Sequence, residues 1–276
     1  MSAATELLFL GLPDTGKTTF FVALDEVLLT EQHGLVSNGF AGNRTYLEKA
    51  KVMWRAGEPI SRTNLTPADG PVELLVRHAE TGEVASLVAP DVYGEFYDDQ
   101  WADRRWPISY REGLASLAGI LLFVNAAKCG RNPEMTEMWR NLPGPYQPPK
   151  RWEPRLAAEQ VKLTDLLQVL VENGKPEQPV PLAVMISAWD LIESWDKPEM
   201  RPEKHLQNEW SLLSQYLSAN PELYDSRVYG VSARGGGEGS KELLVQLAPS
   251  DRVWLKDGDE QTRDLTRPIR RLLKWS

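Results

Sequence analysis

The chain has 276 residues, 42% of them hydrophobic, and 31 Lys and Arg against 39 Asp and Glu leave a net charge of −8. Twenty Gly and twenty Pro are ordinary for this length, and ten Trp, eight Tyr and six Phe need a core, so collagen-like, low-complexity and disordered readings fall away. The acidic balance excludes a general nucleic-acid binder, which runs on excess Lys and Arg, and the lone Cys129 excludes an internal disulfide and a cysteine zinc cluster.

The first residues have no basic region, and no stretch approaches the ~20 apolar residues of a membrane span. A cytoplasmic location without a transmembrane segment is the expectation. In chain order, Leu7 to Leu10 reads as a short buried strand and Thr18 to Leu29 as a helix. Gly34 to Gly42 reads as a polar loop, and Asn43 to Ala56 as a second helix closed by Gly57 and Pro59. Val72 to Arg77 and Glu83 to Ala89 are two strands joined by the hairpin signal Glu80-Thr81-Gly82.

Tyr110 to Leu117 reads as helical and leads into the apolar strand Ile120 to Asn125, a run suited to a sheet covered on both faces. Residues 129–150 carry five prolines and read as irregular. Arg155 to Asn173 has leucines at helical spacing, and Pro181 to Ile186 is another buried strand. A helix over Glu203 to Leu217, a strand over Arg227 to Val231 and a helix over Leu265 to Lys274 complete the chain. The alternation predicts a three-layer α/β/α fold around a mostly parallel sheet with one antiparallel strand. The expected organisation is one domain over 1–276, with insertions at about 30–60 and 129–174 and a helical extension at about 235–276.

The segment Gly11-Leu12-Pro13-Asp14-Thr15-Gly16-Lys17-Thr18, followed by Thr19, matches the phosphate-loop pattern G-x-x-x-x-G-K-[ST] between a strand and a helix. Glycines let backbone N–H groups curl around phosphate oxygens, and the helix N-terminus adds about half a positive charge. Lys17 then reaches the β- and γ-phosphates while the Thr18 hydroxyl ligates Mg²⁺. A phosphate loop alone does not separate GTP from ATP, or a hydrolase from a kinase.

Further segments fall in the order found in Ras-like P-loop GTPases, which the chain resembles over roughly residues 5–234. Asp91-Val92-Tyr93-Gly94-Glu95 is similar to the D-x-x-G segment, which implies Asp91 on Mg²⁺ and the Gly94 N–H sensing the γ-phosphate. Ser187-Ala188-Trp189-Asp190 stands in the place of the N/T-K-x-D guanine motif, and Ser232-Ala233-Arg234 in that of the S-A-x loop, whose Ala N–H meets guanine O6. Arg62-Thr63-Asn64-Leu65-Thr66 offers a switch threonine for Mg²⁺, Thr63 or Thr66, with Thr63 favoured by its neighbouring Arg. The Asp190 carboxylate can accept both N1–H and the exocyclic amine of guanine, a donor pair that adenine lacks.

Three departures, at Ser187, Ala188 and Glu95, bear on this resemblance. Ser187 replaces Asn or Thr, and Ala188 replaces the Lys that covers the base. Trp189 could supply an apolar lid in place of that Lys, but packing under the loop is the favoured reading. Glu95 stands where relatives carry Gln, and an ionised Glu cannot donate a hydrogen bond to the attacking water or offset γ-phosphate charge. Arg62, next to Thr63, resembles the cis arginine of heterotrimeric G-protein α subunits and is the candidate for that missing charge.

The GLPDTGKTTF loop, Arg62-Thr63, the aromatic stretch after Asp91 and the tail Leu265-Thr266-Arg267-Pro268-Ile269 are similar to bacterial double-GTPase-type domains of GTPase-associated systems. The resemblance implies Mg²⁺ and GTP/GDP as ligands, slow hydrolysis, and a switch whose aromatics between Tyr93 and Trp106 contact a protein effector. An ATPase or small-molecule kinase, and a nucleotide-binding interaction module without efficient hydrolysis, remain the alternatives. His33, His78 and His205 have no metal spacing. Arg267, Arg270, Arg271 and Lys274 suit either a helix C-terminus or an acidic partner.

Overall fold

The computed structural model describes residues 5–31, 33–42, 44–60, 72–89, 101–102, 117–127, 157–174, 176–193, 200–236 and 238–275. Their nine strands form one sheet in the order β2-β3-β4-β1-β5-β6-β7-β8-β9. The strands are β1 (Thr5–Leu10), β2 (Leu35–Gly42), β3 (Val72–His78), β4 (Val84–Ala89), β5 (Leu117–Asn125), β6 (Val180–Ser187), β7 (Tyr224–Ser232), β8 (Trp254–Asp257) and β9 (Glu260–Thr262). β4, β1, β5, β6 and β7 pair in parallel, and β3 and β8 run against them.

Helices cover both faces, as near-continuous apolar strands require. Alternate side chains divide into two cores: Leu7, Phe9, Leu121, Phe123 and Met185 face one, while Leu8, Leu10, Leu122, Val124 and Ile186 face the other. The first core is closed by α1 (Lys17–Leu28), α2 (Arg44–Arg55) and the C-terminal helix (Arg267–Leu273). The second is closed by α3 (Glu159–Gly174), α4 (Pro202–Glu209) and α5 (Ser211–Ala219). Two short helices, α6 (Lys241–Gln246) and α7 (Pro249–Arg252), precede β8, so the C-terminal helix is α8. Beneath the first loop, Phe9 packs on Phe21 and Phe123 with ring centroids 4.8 and 5.4 Å apart, a rigid aromatic floor.

Three elements differ from the sequence reading. Gly34 to Gly42 is not a loop but contains the edge strand β2, antiparallel to β3 and bulged between Ser37 and Phe40, where Gly39 has φ 98°. Its polar residues fit an edge position, where one side of the strand needs no partner. The tail is not wholly helical, because β8 and β9 form a hairpin around Gly258 at φ 58°. The helix expected over Glu203 to Leu217 is two helices, broken where the fully buried Trp210 leaves helical backbone at φ −122° and ψ 47°.

Candidate nucleotide site

The phosphate loop leaves β1 at Leu10 and enters α1 at Lys17. Its glycines are required by geometry. Gly11 has φ 148°, and a Cβ there would lie 2.6 Å from the Phe123 carbonyl oxygen and 2.8 Å from Thr15 Oγ1. Gly16, at φ 83°, forms the left-handed entry to α1, and its Cβ would lie 3.0 Å from the Ser187 side chain. The loop is therefore clamped between the ends of β5 and β6, and the first turn of α1 opens towards the position a phosphate takes at a helix N-terminus.

Side chains complete the turn. The Thr15 hydroxyl donates to the Leu12 carbonyl at 2.8 Å, and Lys17 Nζ donates to the carbonyls of Gly11 at 2.5 Å and Leu12 at 3.0 Å. The Lys17 ammonium is thereby held across the loop with its stem buried. Pro13, Thr18 and Thr19 are half-buried, and Asp14 is exposed in left-handed backbone at φ 60°. Asn125, the last residue of β5, holds that strained position: its amide donates to the Asp14 carbonyl at 3.0 Å while its Oδ1 accepts from Ala127 N–H at 2.8 Å.

The predicted base-reading residues also come together. β6 and β7 pair so that Ser187 lies beside Val231, and Asp190 follows in a single 3-10 turn, Trp189–Leu191. The Ser232 hydroxyl donates to Asp190 Oδ1 at 2.8 Å and accepts from Gly235 N–H at 3.2 Å. Ala188 enters the turn at φ 54°, and Ala233 is buried on the neighbouring loop. Trp189 lies under the turn, fully buried, with its indole N–H on Glu193 Oε1 at 2.9 Å. Gly230 makes room for it, since a Cβ there would lie 2.4 Å from the indole ring. The edge of His205 stacks beneath, 5.4 Å away, and burial holds its imidazole below the ordinary histidine range, partly opposed by the Glu209 charge.

Ser187 sits between these two halves with its hydroxyl buried and, among the described residues, without a hydrogen-bond partner. Arg62, Thr63, Thr66, Asp91, Gly94 and Glu95 lie outside the described residues. The loop fits a phosphate chain through a glycine cradle, an oriented helix N-terminus and an ammonium group. For Mg²⁺ the described part supplies the Thr18 hydroxyl, an oxygen donor of the right kind, and among the described residues there is no cluster of three His, Cys, Asp or Glu.

Sequence reasoning missed two contributors. Asn125 ends an apolar strand directly beside the motif strand β6, a placement that flags a polar residue at the carboxyl edge of a parallel sheet. Trp54 of α2 donates its indole N–H to the Ala233 carbonyl at 2.8 Å. By contrast, the tail arginines are used internally: Arg267 pairs with Glu260 and Asp257, Arg270 with Asp264, and Arg271 with Asp225.

Residues 8–272 match the family described as Double-GTPase 1. The chain belongs to that family. A Double-GTPase 1 member carrying an intact phosphate loop is a GTP-binding protein by family. Solved structures that it resembles include the Arl6 BBS3 small GTPase from Trypanosoma brucei with bound GppNp, at 9% identity and TM-score 0.40, covering 91% of this chain and 99% of that one. Others are the bacterial selenocysteine-specific elongation factor EF-Sec, at 13% identity and TM-score 0.38, and SelB from Methanococcus maripaludis with GppNHp, at 13% and 0.37. These alignments cover 87% of this chain but only 27% and 32% of the two elongation factors. No curated protein matches. Among the described residues no helix is long and apolar enough to cross a membrane.

Proposed function

We propose that this Double-GTPase 1 chain binds Mg²⁺·GTP, hydrolyses it slowly to GDP, and serves as a nucleotide-dependent switch for a partner protein. The observation that carries the reading is the Ser232–Asp190 hydrogen bond, which aims a carboxylate at the end of the sheet that also bears Lys17. A carboxylate fixed there accepts from guanine N1–H and the exocyclic amine, and adenine has no equivalent pair to offer. The Ala233 N–H takes guanine O6. Lys17 and the N–H groups of residues 13–19 hold the phosphates.

Thr18, Thr63 and Asp91 are the residues for Mg²⁺, which when bound neutralises charge on the β- and γ-phosphate oxygens. Gly94, Glu95 and Arg62 are the candidates around the γ-phosphate and the attacking water: the first as γ-phosphate sensor, the second in the place of the water-orienting Gln, the third as a source of positive charge. Glu95 favours slow turnover, because an ionised carboxylate can accept from the water but adds negative charge where phosphoryl transfer needs its removal. The same residue favours a second reading, a nucleotide-binding interaction module that needs a partner for hydrolysis.

Competition binding with GTP, GDP and ATP, followed by GTP turnover with Lys17→Ala as control, tests the reading. Guanine-selective binding and weak, Lys17-dependent turnover are expected. Selective binding without turnover supports the interaction module, and binding indifferent to the base overturns the guanine assignment.

A further inference from the structure

We infer that Trp54 is a positioning residue for base recognition, an assignment that rests on the guanine reading of Asp190 and Ala233. The loop after β7 is held on one flank by Ser232 and Asp190. Its other flank is held by α2, an element nearly 180 positions away in the chain. The Trp54 indole N–H donates to the Ala233 carbonyl at 2.8 Å. Arg234 donates to the Gly57 carbonyl at 2.9 Å, just past the end of the same helix.

Trp54 is itself immobilised. It is 1% exposed, and the Arg252 guanidinium lies 5.0 Å from its ring centre while donating to the carbonyls of Trp54 at 3.0 Å and Arg55 at 3.1 Å. The loop backbone presses on the same anchor: Gly235 has φ 91°, and a Cβ there would lie 2.1 Å from the Arg252 carbonyl oxygen.

A peptide unit is planar and trans, so fixing one carbonyl fixes the plane that it shares with the next N–H. The Trp54 bond therefore sets the Ala233–Arg234 plane and, through it, the chain direction at the residue whose N–H meets guanine O6. Phenylalanine keeps a smaller aromatic ring in this buried space but carries no N–H. What tryptophan adds is an N–H donated to a buried carbonyl on the recognition loop, a group that is costly to leave unpaired. The phosphate loop has its own anchors in Asn125, Thr15 and Lys17, and Trp54 bonds to none of them.

GDP, ADP and inorganic tripolyphosphate binding are measured on the parent chain, Trp54→Phe and Arg234→Gln, with thermal melting as a check on folding. In Trp54→Phe, GDP affinity falls about tenfold, ADP and tripolyphosphate affinities stay at the parent value, and the GDP-to-ADP ratio narrows accordingly. Arg234→Gln cuts the second tie without touching the core ring and gives the same split even if Trp54→Phe does not fold. Unchanged GDP affinity in both variants overturns the assignment. So does a parallel loss of tripolyphosphate binding, which makes Trp54 merely structural. A parent chain that binds GDP and ADP alike removes the guanine reading itself, a failure separable from the other two because it precedes any substitution.

Discussion

Ser232 donates a hydrogen bond of 2.8 Å to Asp190 across the gap between two loops that leave adjacent parallel strands. The bond uses one carboxylate oxygen as an acceptor and fixes the direction of the other, which is what reading a base edge requires. Replacing Asp190 by Asn keeps the acceptor for Ser232 but turns the other atom into a donor. The expected outcome is loss of GDP affinity by about 1–3 kcal/mol and gain of affinity for xanthosine diphosphate, whose C2 carbonyl accepts where guanine donates. Competition binding with the two diphosphates reads both changes.

The phosphate loop makes a different prediction at Asn125. Asn125→Ala removes the tie to the Asp14 carbonyl and the acceptor for Ala127 N–H, while leaving the base-reading loops intact. GDP, ADP and tripolyphosphate affinities fall together, by roughly three- to tenfold, the worth of a part-exposed hydrogen bond. A change in the GDP-to-ADP ratio in this variant contradicts the division of labour between the two loops.

Gly11→Ala tests the clamp under the loop. Its backbone angle of φ 148° is foreign to a residue with a Cβ, and the added carbon would lie 2.6 Å from the Phe123 carbonyl. Strain and overpacking together cost about 2–4 kcal/mol, visible as a lower melting temperature without ligand and as lost nucleotide protection. A variant melting at the parent temperature removes this account of the glycine.

The buried His205 predicts a pH effect on stability. Burial lowers its imidazole below the ordinary value of 6.5, so the unfolded chain binds the proton more tightly than the folded one. The stabilisation is complete above about 6.5 and is lost as pH falls through the lower, folded value, with the Glu209 charge softening the loss. His205→Phe flattens the melting-temperature profile in that acid window while keeping an aromatic edge against Trp189. A profile as steep as the parent's assigns the acid sensitivity to other groups.

Much of this architecture could be read from residue order because its signals are local. The phosphate loop is written in eight consecutive residues, and the leucines at 163, 166, 167 and 170 place α3 against the sheet by their spacing alone. The hairpin between β3 and β4 follows from a turn signal flanked by apolar runs. The edge strands were less legible. In β2 the apolar residues are split by Ser37-Asn38-Gly39 and a bulge, and β8 and β9 are four and three residues long. For the second hairpin the informative signal was Asp257-Gly258, a turn dipeptide that outweighs the helical content around it.

Within the site, Ser232 and Asp190 were legible through their order along the chain. Trp54 was not, because its bond joins positions 179 residues apart and no local pattern encodes such a contact, and Asn125 left only the weaker signal of a polar residue at the end of an apolar strand. The buried Ser187 hydroxyl belongs to the same class: its short side chain is what lets Gly16 approach β6 so closely, a fact about packing and not about motif.

The most direct test of the central claim is calorimetric titration of GDP and ADP, each with Mg²⁺, into the parent chain and Lys17→Ala. GDP is expected to bind the parent more tightly than ADP, and Lys17→Ala, still folded by its melting curve, to bind neither. Equal affinity for both nucleotides, or binding that survives Lys17→Ala, would contradict that claim.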